Sequence, residues 1–168
     1  MRTTAFTTVI GMTLAGAVAI TGTRAYAASE AENLAVSAAV AVKCTVSTTA
    51  LAFGAYDPVV ANASANLDGT GGLTIACTKG ASATVALGVG ANASGSTRQL
   101  ANGASRLQYE IYKDSGRTQV WNEAAGTLST GAAPSKAARN FTVYGRVPAN
   151  QDVPSGNYAD SVVATVNF

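Results

Sequence analysis

Apolar and small polar residues alternate along residues 34–42, near the start of the chain. The larger apolar side chains fall on every second position, and alanine, serine or lysine follow each of them. A period of two places one set of side chains on a single face of a β-strand. Alanine-rich sequences also form helices, but valine at several of these positions favours a strand. The residues on the apolar face are Leu34, Val36, Ala38, Val40 and Val42.

Short β-prone runs recur through the rest of the chain and are separated by turn-forming residues. Clusters of glycine, asparagine, aspartate or proline, such as residues 68–72 and 154–157, predict turns between them. This spacing is typical of an all-β sandwich with six or seven strands. Residues 90–105 and 122–139 lack a clear pattern, and we expect them to form surface loops. The predicted strands beyond the first are 73–77, 83–89, 107–112, 141–147 and 158–168.

The last predicted strand is also apolar on one face, and that face carries Val162, Ala164, Val166 and Phe168. A long apolar strand at the edge of a sheet promotes aggregation unless it is covered. Both end strands could pair within their own domain, or one could be given to a neighbouring molecule and close its sheet. The residues alone leave both arrangements open.

The first 27 residues have the pattern of a cleavable signal peptide. Arg2 makes the N-terminal region positively charged, and residues 5–20 contain no charge. Ala25-Tyr26-Ala27 then offers small residues at a cleavage site. The apolar run is short against the roughly 20 residues that span a bilayer. We therefore predict cleavage after Ala27 and a single exported domain.

Export changes the charge balance of the chain. Arg2 and Arg24 would leave with the signal peptide, so the 11 basic residues would fall to the number of acidic residues, which is 9. The remaining charges are scattered, which argues against nucleic acid or an anionic membrane surface as a partner. The sequence contains no histidine, so nucleophilic catalysis lacks its usual base. We expect no enzyme activity, no cofactor and no small-molecule substrate.

Cys44 and Cys77 are the two cysteines of the chain. In an exported protein an even number of cysteines most simply forms disulfides, so we predict one bridge. Two free thiols or a metal-binding pair are the alternatives. Without histidine or a third cysteine, however, the ligand set is poor for zinc.

The order of short motifs along the chain resembles the spore coat protein U domain, which is the fold unit of archaic chaperone-usher pilins. Each motif is weak alone, but the series is specific and covers essentially the whole chain after the predicted signal peptide. The motifs are CTV at 44–46, LAFG at 51–54, YDP at 56–58, IACT at 75–78, RQL at 98–100, LQYEIY at 107–112, VYGRVP at 143–148, PSGNYADS at 154–161 and VNF at 166–168.

The resemblance implies an incomplete immunoglobulin-like β-sandwich of the pilin type, which lacks its last strand. It divides the chain into the signal peptide 1–27, an N-terminal donor-strand segment 28–43 and a pilin domain 44–168. A periplasmic chaperone would lend a strand to the open groove, and at an outer-membrane usher the donor segment of another copy or a related subunit would replace it. The resemblance assigns the groove-filling side chains to Leu34, Val36, Ala38, Val40 and Val42, the groove edge that the chaperone also contacts to Val162, Ala164, Val166 and Phe168, and the disulfide to Cys44 and Cys77.

The leading hypothesis is therefore a structural subunit of a surface fibre that supports adhesion and biofilm formation. A spore or cell coat protein of the same fold is the alternative, because both need the same groove and the same export signal. A tip adhesin or carbohydrate-binding module is a third class, for which Trp121 would be the exposed aromatic platform. We expect this tryptophan to be packed in the core or against a loop instead.

Overall fold

The structure is a computed structural model that describes residue 24 and residues 27–124 and 126–168. The predicted signal peptide lies almost entirely outside the described residues. In the unit Met1–Ala38, the described residues contain no helix or strand. The unit Ala39–Phe168 carries the β-structure. In neither described part is there a helix long and apolar enough to cross a membrane.

Within the described residues, eight strands form two antiparallel sheets. The strands are β1 Cys44–Ala52, β2 Leu67–Cys77, β3 Ser82–Leu87, β4 Arg98–Asn102, β5 Ser105–Tyr112, β6 Leu128–Ala132, β7 Arg139–Val147 and β8 Ala164–Asn167. The larger sheet has the order β1-β2-β7-β5-β4, and the smaller has the order β6-β3-β8. A single turn of 3-10 helix, Ala61–Ala63, lies between β1 and β2.

The core lies between the two sheets and is built from alternate residues of the strands. In β5, Leu107, Tyr109 and Ile111 are buried, while the residues between them are exposed or half-buried. Ile75 of β2 and Val85 of β3 belong to opposite sheets but to the same buried cluster, and both are completely buried. The prediction of an all-β sandwich is confirmed.

The prediction of surface loops at 90–105 and 122–139 is wrong in part, because these segments contain β4 and β6. Strand β4 pairs with β5 along its whole length, from Arg98 opposite Tyr109 to Asn102 opposite Ser105. Both lie at the edge of a sheet, although Ala101 of β4 also forms an isolated bridge with Ala159. Such strands need no clear two-faced pattern, so their sequences do not reveal them.

The predicted turn at 68–72 is also wrong, because these residues lie inside β2. Their glycines serve close packing rather than a turn. A Cβ atom on Gly71 would lie 3.0 Å from the Cα of Leu51, and one on Gly69 would lie 2.9 Å from Cδ1 of Phe53. The glycines thus form a shallow strip on which these two apolar side chains rest.

Trp121 is completely buried, as expected for a core residue, and its Nε1 donates a hydrogen bond of 2.9 Å to the carbonyl of Val85. It therefore offers no surface for a ligand. Arg98, which is 2% exposed, forms an ion pair with Glu110. Its guanidinium also donates to the carbonyls of Leu87 and Trp121 at 2.9 and 2.8 Å. This buried charge is thus surrounded by the acceptors that it needs.

The predicted disulfide between Cys44 and Cys77 is confirmed. The two residues face each other in the register of β1 and β2, with their Cα atoms 4.1 Å apart. The bridge ties the first residue of β1 to the last residue of β2.

Replacing both cysteines, in the variant C44S/C77S, should lower the free energy of unfolding by roughly 3 to 4 kcal/mol, because the unfolded chain regains the entropy of a loop of this length. Urea unfolding followed by tryptophan fluorescence measures the change. Reduced wild-type protein is the control and should match the variant. An unchanged midpoint in the variant would contradict a stabilising bridge.

Candidate strand-acceptor groove

A groove runs between β1 and the C-terminal residues of the chain. It consists of two adjoining cavities of about 720 and 310 Å³. The two cavities share Leu51, Phe53, Leu100 and Asp160, and so form one continuous cleft. We call this cleft the groove; its remaining apolar lining includes Leu67, Leu73, Leu87, Leu107, Tyr109, Ile111, Val143, Val147, Val153, Tyr158 and Val162.

On one side, the C-terminal wall of the groove hydrogen-bonds to Gly88 and Ala91, which follow β3 of the smaller sheet. The carbonyl of Val163 accepts from the amide of Gly88 at 2.9 Å, and the carbonyl of Ser161 accepts from the amide of Ala91 at 3.0 Å. Because peptide groups alternate along an extended chain, those of Val162 and Ala164 point the opposite way. They face away from the smaller sheet, toward the groove.

The other wall of the groove is β1, the edge strand of the larger sheet. Its residues 45–50 are exposed, and only Cys44 and Leu51 are half-buried. The sequence pattern does not predict this strand, because serine and threonine mask its apolar face. The groove therefore lies between two sheet edges that each lack a neighbour, which is the geometry left by one missing strand.

Asp160 anchors the C-terminal wall at the point where the two cavities meet. Its Oδ2 accepts a hydrogen bond of 2.7 Å from the hydroxyl of Tyr109, which belongs to the larger sheet. Its Oδ1 accepts from the backbone and side-chain nitrogens of Asn92, both at 3.0 Å. Gly90 adopts a φ of +95°, and a Cβ atom there would overlap Oδ2 of Asp160. These contacts hold the wall in place without closing the groove.

Burial raises the pKa of Tyr109, and the hydrogen bond that its hydroxyl donates to Asp160 raises the pKa further. The neutral hydroxyl is the form that can donate to a carboxylate. The ring of Tyr109 also meets that of Phe53 edge to face, with centroids 5.9 Å apart. Tyr109 of β5 is thereby packed against Phe53, the residue that directly follows β1.

Two of the four residues predicted for the groove edge line the groove in the structure, and the other two lie elsewhere. Val162 and Ala164 line the groove. Val166 packs against the core cluster, and Phe168 is 59% exposed. The predicted strand 158–168 is shortened to β8, because residues 158–163 make only isolated contacts, among them a bridge between Ala159 and Ala101 of β4.

The predicted strand at 34–42 is not formed in the structure. Its side chains are exposed instead: Leu34 by 88%, Val36 by 86%, Val40 by 84% and Val42 by 57%, and Ala38 is exposed as well. A strand is stabilised by pairing with a neighbour, so an alternating sequence does not form one by itself. The segment presents a row of apolar side chains that soluble proteins usually bury.

Several groove residues were missed as site residues by the sequence analysis, namely Leu51, Phe53, Leu100, Tyr109 and Asp160. One signal in the sequence could have identified Leu51 and Phe53. Glycines inside a β-strand mark a close approach of other parts of the chain, and β2 has three of them.

These features define an incomplete immunoglobulin-like β-sandwich of the pilin type. The chain belongs to the Spore Coat Protein U domain family, which matches residues 30–165. It is 38% identical to Protein U of Myxococcus xanthus over 182 aligned positions, which cover 98% of this chain and 99% of that protein.

A similar fold occurs in the crystal structure of the CsuC-CsuE chaperone-tip adhesion subunit pre-assembly complex from archaic chaperone-usher Csu pili of Acinetobacter baumannii. The TM-score is 0.56 and the sequence identity is 21%. The match covers 77% of this chain but only 40% of that chain. The similarity therefore concerns the fold.

The fold should lose stability as the pH rises above about 10, because Tyr109 has a higher pKa in the folded than in the unfolded chain. The variant Y109F should remove this part of the alkaline loss. At neutral pH it should be less stable by about 1 to 3 kcal/mol, since Asp160 loses a donor. Urea unfolding between about pH 7 and 11 measures both effects. The same alkaline slope in variant and wild type would contradict this role of Tyr109.

Proposed function

We propose that the chain is a structural subunit of a surface fibre that assembles by donor-strand exchange. The observation that carries this proposal is the groove between two unpaired sheet edges, in a chain that also presents the exposed apolar row at 34–42. In the fibre, residues 34–42 of one copy or related subunit fill the groove of the next.

The added strand would supply both the backbone hydrogen-bond partners and the apolar side chains that the groove lacks. Its backbone would pair with the peptide groups of Val162 and Ala164 that face away from the smaller sheet. Its apolar side chains would enter the cleft and contact Leu51, Phe53 and Leu100. Complete burial contributes about 1.5 to 3 kcal/mol for each leucine or valine side chain. Ala38 is the smallest of the five and would fill its pocket least.

An open groove of this kind needs protection before assembly, because an uncovered apolar edge aggregates. We infer that a periplasmic chaperone covers it after export and that an outer-membrane usher exchanges the chaperone for the next copy. The fold shared with the Csu structure supports this inference, since that structure is a chaperone-subunit pre-assembly complex of a chaperone-usher pilus. Adhesion and biofilm formation are the roles that we propose for the fibre.

A coat protein is the second candidate, and it is favoured by the match to the Spore Coat Protein U domain and by the full-length similarity to Protein U. The same groove would then link copies in a layer around a spore or cell. Electron microscopy of the producing cell distinguishes the two, because fibres project from the surface whereas a coat forms a continuous layer.

Deleting residues 28–42 should leave a folded, chaperone-bound subunit that does not polymerise, because the strand donor is lost. Gel electrophoresis of unheated and heated samples measures polymers, since strand-exchanged subunits should separate only on heating. Polymers formed by the deletion variant would contradict the assignment of the donor.

A matched pair of variants tests the face of the donor that enters the groove. V36D/V40D places two carboxylates among the apolar lining, which costs several kcal/mol for each unpaired charge, and should abolish polymers. A35D/A39D adds the same charges on the opposite face and should leave polymers intact. Equal loss in both variants would contradict insertion of the even-numbered face.

A further inference from the structure

Two glutamates continue the apolar face of the donor segment toward its N-terminal end. Glu30 and Glu32 are in phase with Leu34 and Val36, and they are the only charged residues between 28 and 42. In an extended strand they point to the same side as the apolar side chains. An added strand would therefore turn both carboxylates toward the acceptor, where they need cationic partners.

The end of the sandwich that carries the disulfide offers such partners. Lys43 and Lys79 lie there together, because the carbonyl of Lys43 accepts from the amide of Thr78 at 2.8 Å. The amide of Gly80 donates to the carbonyl of Ala133 at 2.8 Å, which brings the loop of Lys136 to the same end. We call these three lysines the lysine end.

The lysine end is free to receive an anion. All three lysines are exposed, and among the described residues none of them forms an ion pair. The segments that build this end, 43–44, 77–82 and 132–139, contain no acidic residue.

The direction of the added strand decides whether the glutamates meet the lysine end. Asn167 pairs with Thr84, so the last strand runs toward the turn at Lys79 that precedes β3. The apolar row of nine residues spans roughly 30 Å, and residues 158–168 span roughly 36 Å. In an antiparallel arrangement Leu34 would lie near the end of the last strand, and the glutamates would extend roughly 7 to 14 Å farther.

A parallel strand would carry the glutamates to the opposite end of the sandwich. Asp57 and Asp152 are in the loops at that end, together with Arg106 at the turn between β4 and β5. The charges there are mixed, whereas those at the lysine end have one sign. Charge complementarity therefore favours the antiparallel direction.

We propose that Glu30 and Glu32 of one copy bind the lysine end of the next copy and fix the direction and register of the added strand. This inference rests on the proposed donor-strand exchange. A slip of two residues would keep the apolar face inward but would place Glu32 where Leu34 belongs. The carboxylate would then enter the apolar groove, so the pair also opposes such a slip.

Synthetic peptides of residues 28–42 test the proposal when they are titrated against the purified chaperone-bound subunit, whose groove no other copy has filled, and followed by fluorescence anisotropy. The E30Q/E32Q peptide should bind about two-fold to ten-fold more weakly than the wild-type peptide at low salt. The difference should vanish in about 1 M NaCl, where the Debye length falls to roughly 3 Å. The K79E/K136E chain should weaken binding of the wild-type peptide and restore binding of an E30K/E32K peptide.

The R106E chain is the control for position, because it reverses one positive charge at the opposite end. It should bind the wild-type peptide as the unaltered chain does, and weaker binding to R106E than to K79E/K136E would overturn the antiparallel assignment. Equal binding of the E30Q/E32Q and wild-type peptides at low salt would overturn the role of the glutamates. In that case, failure of a V36D/V40D peptide to bind would still support donor-strand exchange. Absence of binding by the wild-type peptide would contradict both proposals.

Discussion

Val163 and Ser161 accept hydrogen bonds from Gly88 and Ala91, which follow β3, whereas the peptide groups of Val162 and Ala164 turn away from that side. Backbone groups that are removed from water need partners, so an apolar groove beside this edge can be completed only by another strand. Residues 34–42 have the length and the alternation of such a strand but do not form one in the structure. In the proposed strand exchange, the segment of one copy would fill the groove of the next and so produce a linear polymer.

The groove stays open because its walls are supported independently of an added strand. Leu51 and Phe53 rest on the glycine strip of the larger sheet, where any Cβ atom would push them outward. Asp160 holds the opposite wall through Tyr109 and Asn92. The walls are therefore already formed without an added strand, which would lower the conformational entropy lost if the proposed donor binds.

Sequence patterns predicted the strands whose buried faces are apolar, such as β5 and β7, and they predicted the disulfide. They did not predict β1, because its exposed serines and threonines hide the alternation. They misread residues 68–72 as a turn, since a glycine that permits close packing looks the same as a glycine that permits a turn. The groove itself depends on which strands become neighbours, and long-range pairing of this kind is not encoded in a local pattern. The carboxylate of Asp160 is an example, because its partners lie 51 and 68 residues away.

Amide hydrogen exchange, measured by mass spectrometry on the free subunit and on the assembled polymer, tests directly whether a strand from another copy completes the sandwich. Completion of the sandwich by a donor strand predicts that residues 34–42 and the outward-facing amides of residues 162–166 exchange rapidly in the free subunit and become protected together in the polymer, whereas β2 and β5 are protected in both. Unchanged rapid exchange of either segment in the polymer would contradict completion of the sandwich by a strand from another copy.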